Sequence, residues 1–155
     1  MTTREIDSNI SIAEVFTPAP VLTNNTTVAG TAVDLQGYYA AEAVVHVGTY
    51  AETIAGSFSE FSLQESADSA TGWTDVANAD LTDTVAASST ITGGSTTGVF
   101  GKVSSTGTDN VILKTGYKGS KRWIRVKENA QTNHNVGLPF GAVIIRAKGA
   151  TNPVG

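Results

Sequence analysis

The sequence predicts an all-β fold, a two-sheet β-sandwich of jelly-roll or Greek-key type carrying an extended N-terminal arm. Three observations predict it. Charged residues make up only 15% of the 155 positions against 40% apolar, with 16 glycines, a mixture that suits strands and turns better than amphipathic helices. Short stretches of period-two alternation recur between Val33 and Ala147, separated by clusters of Gly, Ser, Asn and Asp, which gives about seven to nine strands. Cysteine is absent, so no disulfide staples the fold and no thiolate serves as nucleophile or zinc ligand. The length suits one domain, expected over residues 31–155, with residues 1–30 as the arm.

Along the arm, Thr17-Pro18-Ala19-Pro20 reads as extended chain, because each proline sets its own φ and pushes its predecessor out of the helical region. Ile10, Ile12, Val15, Phe16, Val21 and Leu22 are too apolar for a solvated tail, so the arm is expected to dock on a partner or a sister subunit. In 42–48, Ala43, Val45 and Val47 oppose Val44, His46 and Gly48, predicting a strand at least partly covered on both faces. Phe61 and Leu63 alternate with Glu60, Ser62 and Gln64, giving a strand with a polar outer face. The turn formers Asp68 to Gly72 then predict a hairpin to Trp73–Val76. About residues 84–110 the chain becomes rich in Ser, Thr and Gly. This reads as a long functional loop with a short strand at Val99, Phe100 and Val103. Val111, Leu113, Thr115 and Tyr117 alternate next; after the turn Lys118-Gly119-Ser120, Arg122, Ile124 and Val126 oppose Trp123, Arg125 and Lys127. Leu138-Pro139-Phe140-Gly141 leads into the last strand, Ala142 to Ala147, whose Val143-Ile144-Ile145 predicts cover on both sides.

No apolar run approaches the roughly 20 residues of a membrane span, and Glu5 and Asp7 stand where a signal peptide would be basic. A soluble, unprocessed chain with no membrane partner is expected. The net charge of −4 conceals an asymmetry: residues 1–100 hold twelve carboxylates and one cation, for −11, while residues 101–155 hold two carboxylates and nine cations, for +7. Acidic early strands could lie beside basic late strands and pair across a sheet, or the particle could be dipolar and meet a negative partner. Pairing is the stronger reading, given how little isolated surface pairs contribute.

Few residues suggest chemistry. His46 lies among valines, as a structural histidine would, and His134 sits in a polar loop with no triad spacing around it. Asp68, Asp75 and Asp80 read as turn carboxylates that bond nearby amides. Glu65 falls on the inward side of its strand and needs a partner, which the basic late strands could supply. Neither a calcium loop nor a phosphate-binding loop is legible; no catalytic residue, metal or cofactor is expected. The one concentrated feature is the interleaving of cations and aromatics from Lys114 to Lys127. Such strands can bind single-stranded nucleic acid, a reading disfavoured by the acidic balance of the whole chain.

Four pieces in order carry a family resemblance: Val33-Asp34-Leu35-Gln36-Gly37-Tyr38; Phe61-Ser62-Leu63-Gln64-Glu65-Ser66 followed by Asp68; Trp73-Thr74-Asp75-Val76; and Tyr117-Lys118-Gly119-Ser120-Lys121-Arg122-Trp123-Ile124-Arg125-Val126. Over roughly residues 33–127 the chain resembles the capsid decoration, or cement, proteins of tailed bacteriophages. The resemblance implies a non-enzymatic virion protein, made in the bacterial host cytoplasm. It would sit on the outer capsid surface, often as a homotrimer, and brace neighbouring major capsid subunits. No binding residue is carried over from the family. The residues expected at a capsid or subunit interface are Ile12, Val15, Phe16, Pro18 and Pro20 of the arm, and Lys121, Arg122, Trp123 and Arg125 of the basic strand. Two other classes fit the sequence: a head-completion or tail structural protein, and a carbohydrate-binding sandwich stacking sugars on Trp73, Trp123 and Tyr117.

Overall fold

The computed structural model describes residues 9–21, 27–87, 93–131 and 134–149. Among the described residues ten strands form two antiparallel sheets: β1 (Ile10–Val21), β2 (Thr27–Ala29), β3 (Val33–Asp34), β4 (Tyr38–Val47), β5 (Phe58–Ser66), β6 (Thr74–Asp75), β7 (Val99–Val103), β8 (Ile112–Tyr117), β9 (Trp123–Gln131) and β10 (Leu138–Gly149). The first sheet has the order β1-β10-β4-β8. In the second, β2 and β3 share one side of β9, β5 lies on its other side, and β6 and β7 share the far side of β5. The chain is thus an all-β sandwich, as its alternation predicts.

Alternation decides which side chains meet between the sheets. Phe61 and Leu63 of β5 and Ile124 and Val126 of β9 face Val45 and Val47 of β4 and Ile144 of β10, all fully buried. Phe140 joins the layers, meeting Phe16 at 5.1 Å and Phe61 at 4.9 Å between ring centres, both edge to face, a favoured aromatic geometry. The hairpin to Trp73–Val76 forms through Gln64↔Asp75, and the strand expected inside the Ser/Thr/Gly-rich region is β7.

Two expectations are corrected. Residues 10–21 are not an arm apart from the sandwich: they are an edge strand of the chain's own first sheet, paired with β10 from Ile10↔Ala147 to Val21↔Leu138. Part of the apolar content that argued for docking is used within the chain, with Val15 in the core and Phe16 packed against it, while Ile12 is exposed. Residues 27–29 and 33–34 likewise pair with β9, so only residues 1–8 and 22–26 of the expected arm lie outside the described residues. The outer side of β4 is partly covered, with Glu42 and Val44 half-buried and His46 exposed. Second, the segment expected as a loop over 84–110 is partly a strap. Ser95 is buried and donates to Ser62 Oγ at 2.6 Å, while Lys127 bonds Asp75 at 3.2 Å and the Gly93 carbonyl at 3.5 Å. This strap covers the polar outer face of the second sheet and leaves Ser62, Lys127 and Asn129 buried.

Candidate functional site

The β3–β4 and β8–β9 turns meet at one end of the sandwich and frame a cleft of about 410 Å³ lined by Gln36, Tyr38, Tyr39, Tyr117, Lys121 and Arg122, among others. Asp34 organises it. Its Oδ1 accepts the Gln36 amide at 2.8 Å, a local turn bond of the kind that short carboxylates favour; Gly37, at φ +87°, completes the turn. Arg122 closes on the same carboxylate from the turn just before β9. This bond holds the Asp34 carboxyl below its usual range against the opposing effect of burial, and raises the arginine in turn. Arg146 of β10 donates to the Asp34 carbonyl at 2.9 Å and to Ser11 Oγ of β1 at 2.7 Å, with its guanidinium 4.5 Å over the Tyr38 ring. One acidic residue of β3 therefore ties both sheets together.

Tyr117 forms the inner wall of the cleft. Its hydroxyl donates to Glu65 Oε2 at 2.6 Å and accepts the Lys121 amide at 2.9 Å. Burial, then the bond to Glu65, pushes the phenol well above its ordinary value, so it stays protonated and acts as a fixed donor. Gly119 lies so close to this ring that a Cβ would overlap it at 2.4–2.5 Å. The partner expected for Glu65 is thus a tyrosine hydroxyl, not a late-strand cation.

The residues singled out from the sequence scatter over the fold. Lys121 is exposed at the cleft rim and Trp123 is half-buried with Arg122 at 5.3 Å. Arg125 donates to Gln64 Oε1 at 3.0 Å and lies 4.1 Å over Trp73, and burial lowers its pKa. In β1, Ile12 is 60% exposed and Val15 is 3% exposed. Phe16 is half-buried, Pro18 is exposed, and Pro20 lies opposite Pro139. Arg122 and Arg125 are engaged inside the chain, which leaves Lys121 as the accessible cation of that group. Trp73 has one face taken by Arg125 and Tyr117 is bonded to Glu65; the accessible aromatic of this end is Tyr39, 76% exposed.

Charge asymmetry resolves in part into pairing within the chain. Lys102–Glu60, Lys114–Glu42, Arg122–Asp34 and Lys127–Asp75 each join an early carboxylate to a late cation. Asp68 accepts the amides of Ala70 and Thr71 as expected of a turn carboxylate, whereas Asp75 bonds Lys127 and Gln64 instead. At the opposite end, Glu52 accepts the amides of Asn135, Val136 and Gly137, and its Oε1 lies 3.5 Å from Nδ1 of the buried His134. Burial is the largest single influence on Glu52 and raises it, but the three amides with His134 together bring the carboxyl below its usual value. Two residues far apart in sequence thus lock two loops, which spacing alone gave no sign of. No group of three or more His, Cys, Asp or Glu able to hold a metal occurs among the described residues. Comparison of the chain with protein-family models, curated proteins and solved structures finds no match.

Proposed function

We propose that the chain is a structural, non-enzymatic virion protein that binds the outer surface of a phage capsid as a homotrimer and braces neighbouring major capsid subunits. We further infer that the sandwich is a jelly roll. With β2 and β3 counted as one position and β6 and β7 as another, the sheets follow the orders 1-8-3-6 and 2-7-4-5, the order of one long antiparallel hairpin folded over on itself. The observation that carries the reading is that two large aliphatic residues, Ile12 and Ile112 at 60% and 66% exposed, stand on a broad sheet face, a shape suited to another macromolecule. Repeated copies on a symmetric lattice need only modest contacts each, because multivalency raises avidity by about 10² to 10⁴.

The test is co-sedimentation of the purified chain with expanded capsids that lack it. Saturable binding at a fixed copy number per shell is expected, weakened by salt and by Lys121→Ala. No binding at any salt concentration rejects the reading. The cleft beside Tyr39 and Lys121 favours a second reading, carbohydrate binding, since an exposed ring next to polar groups can stack on a sugar; signal on a glycan array that is lost in Tyr39→Ala supports it.

A further inference from the structure

The two outer faces of the sandwich differ. That of the second sheet is polar and lies under the chain's own 93–97 strap, whereas that of the first sheet sets isoleucines and valines among a few charged residues. Register lays its outward side chains in rows, since residues directly opposite one another in antiparallel strands share a face. One row runs Ile12, Ile145, Glu42, Gly116 and the next Glu14, Val143, Val44, Lys114. A third holds Gly141, His46 and Ile112, with Pro18 packed against Gly141. Between β1 and β4 lies a shallow hollow of about 200 Å³ lined by Glu14, Pro18, Val44, His46, Gly141 and Val143.

These rows have a polarity. The second carries a carboxylate at its β1 end and an ammonium at its β8 end, with two valines between. The first carries a bulky residue, Ile12, on β1 and a glycine, Gly116, on β8. The third reverses that order, with Ile112 on β8 and the hollow beside β1. β1 and β8 are also the two end strands of the sheet, although residues 80–83 flank β8 from Thr115 to Lys118 and Thr82 stands where a Cβ on Gly116 would lie. Hence any rotation about an axis parallel to the strands that brings β1 of one molecule beside β8 of the next, at the same level, makes two matches at once. Glu14 meets Lys114, and Ile112 meets the hollow.

We propose that a second copy of this chain covers this face, with β1 of one copy against β8 of the next around an axis parallel to the strands. Charge complementarity selects the occupant: the face offers opposite charges at opposite ends of one row, which a copy of itself satisfies on every seam. Lys114 already lies 3.4 Å from Glu42 of its own chain, and Glu14 accepts the Thr17 hydroxyl at 2.8 Å. Lys114 would then stand between two carboxylates. The assignment rests on the self-association contained in the shell reading, and not on capsid binding.

Sedimentation of the full chain in the ultracentrifuge tests it, with near-UV circular dichroism confirming the fold of each variant. The wild-type chain is expected to form a closed oligomer. Glu14→Lys and Lys114→Glu singly should weaken association by about tenfold to a hundredfold, because each sets like charges against one another; the double swap should recover part of it, since Glu42 still faces the reversed charge at position 114. Ile112→Ala, at an exposed position, should weaken association with the fold intact. A trimer or a dimer with this swap behaviour supports the assignment, and a dimer removes the trimer from the shell reading. A monomer, an oligomer indifferent to both reversals, or failure of the double swap to recover overturns it. A monomer that binds capsids and loses that binding in Ile112→Ala overturns it in favour of a capsid subunit on this face. A closed oligomer that does not bind capsids upholds the face while the shell reading fails.

Discussion

Arg122 and Asp34, 88 residues apart in sequence, are joined by two parallel bonds, Nε to Oδ1 at 2.9 Å and Nη2 to Oδ2 at 2.6 Å. A planar guanidinium is the only cationic side chain that can make both. Arg122→Lys is therefore expected to behave like Arg122→Ala, with a lower urea midpoint in each. The Asp34 carboxyl is held below its ordinary value of 3.8. Its stabilising contribution is complete above that value and is lost as the pH falls through the lower folded value. The difference in midpoint between the wild-type chain and Asp34→Asn should accordingly be largest near neutrality and close in acid.

Glu52 is expected to make the opposite end acid-sensitive with the same sign. Its folded carboxyl titrates below the ordinary 4.5, so the three amide bonds stabilise the fold above that value and are released as acid protonates the group. Glu52→Gln should cost about 1–3 kcal/mol at neutral pH, and its stability should depend less on acid than that of the wild-type chain. Urea melts across the acid range check this; an unchanged acid dependence would contradict the lock between residues 49–57 and 134–137.

How far these features were legible follows from their physics. Strand identities came from alternation, a local property, so β4, β5, β7, β8, β9 and β10 were readable from Val45, Leu63, Val99, Leu113, Val126 and Ile144. Pairing partners were not readable. β1 carries the same apolar pattern whether it lies on β10 or on another molecule, and only the three-dimensional register distinguishes them. Burial of Lys127 and Asn129 escaped because their cover, Gly93 to Thr97, has a linker's composition yet contributes backbone groups and a serine hydroxyl that suit a polar floor. Asp34 gave no sign of its role in the sequence, because that role depends on Arg122 and Arg146, which reach it from the β8–β9 turn and from β10.

Removing the buried cation under the strap should uncover the face beneath. Lys127 and Asp75 are mostly enclosed, at 8% and 17% side-chain exposure, and breaking such a pair leaves an uncompensated charge. Lys127→Ala should destabilise by about 3 kcal/mol and speed hydrogen exchange at the Thr96 amide, which donates to Asp75 at 3.3 Å. Lys127→Met with Asp75→Leu should recover much of the stability. Equal exchange in both variants would argue that the strap is held by Ser95 alone.

Two glycines at positive φ should respond unequally to alanine. Gly98, at φ +72°, has the carbonyl oxygens of Val76 and Leu63 at 2.8 and 2.9 Å from the place of a Cβ, whereas Gly37, at φ +87°, has nothing within 4 Å. Gly37→Ala should cost about 1 kcal/mol of backbone strain. Gly98→Ala should cost about 2 kcal/mol or more, because the hairpin and β7 must also move apart. Thermal or urea unfolding of the two variants side by side measures the difference.

β1 ends the first sheet with irregular pairing, its register slipping between Glu14 and Phe16 and again before Ala19. Pro18 and Pro20 fall in this part of the strand, and neither has an amide hydrogen to offer. An exposed strand edge is ordinarily a template on which further strands can add without limit. The slipped, donor-poor stretch of β1 blunts that tendency, so a molecule that accumulates at high local concentration can meet its neighbours through side chains without growing into fibrils.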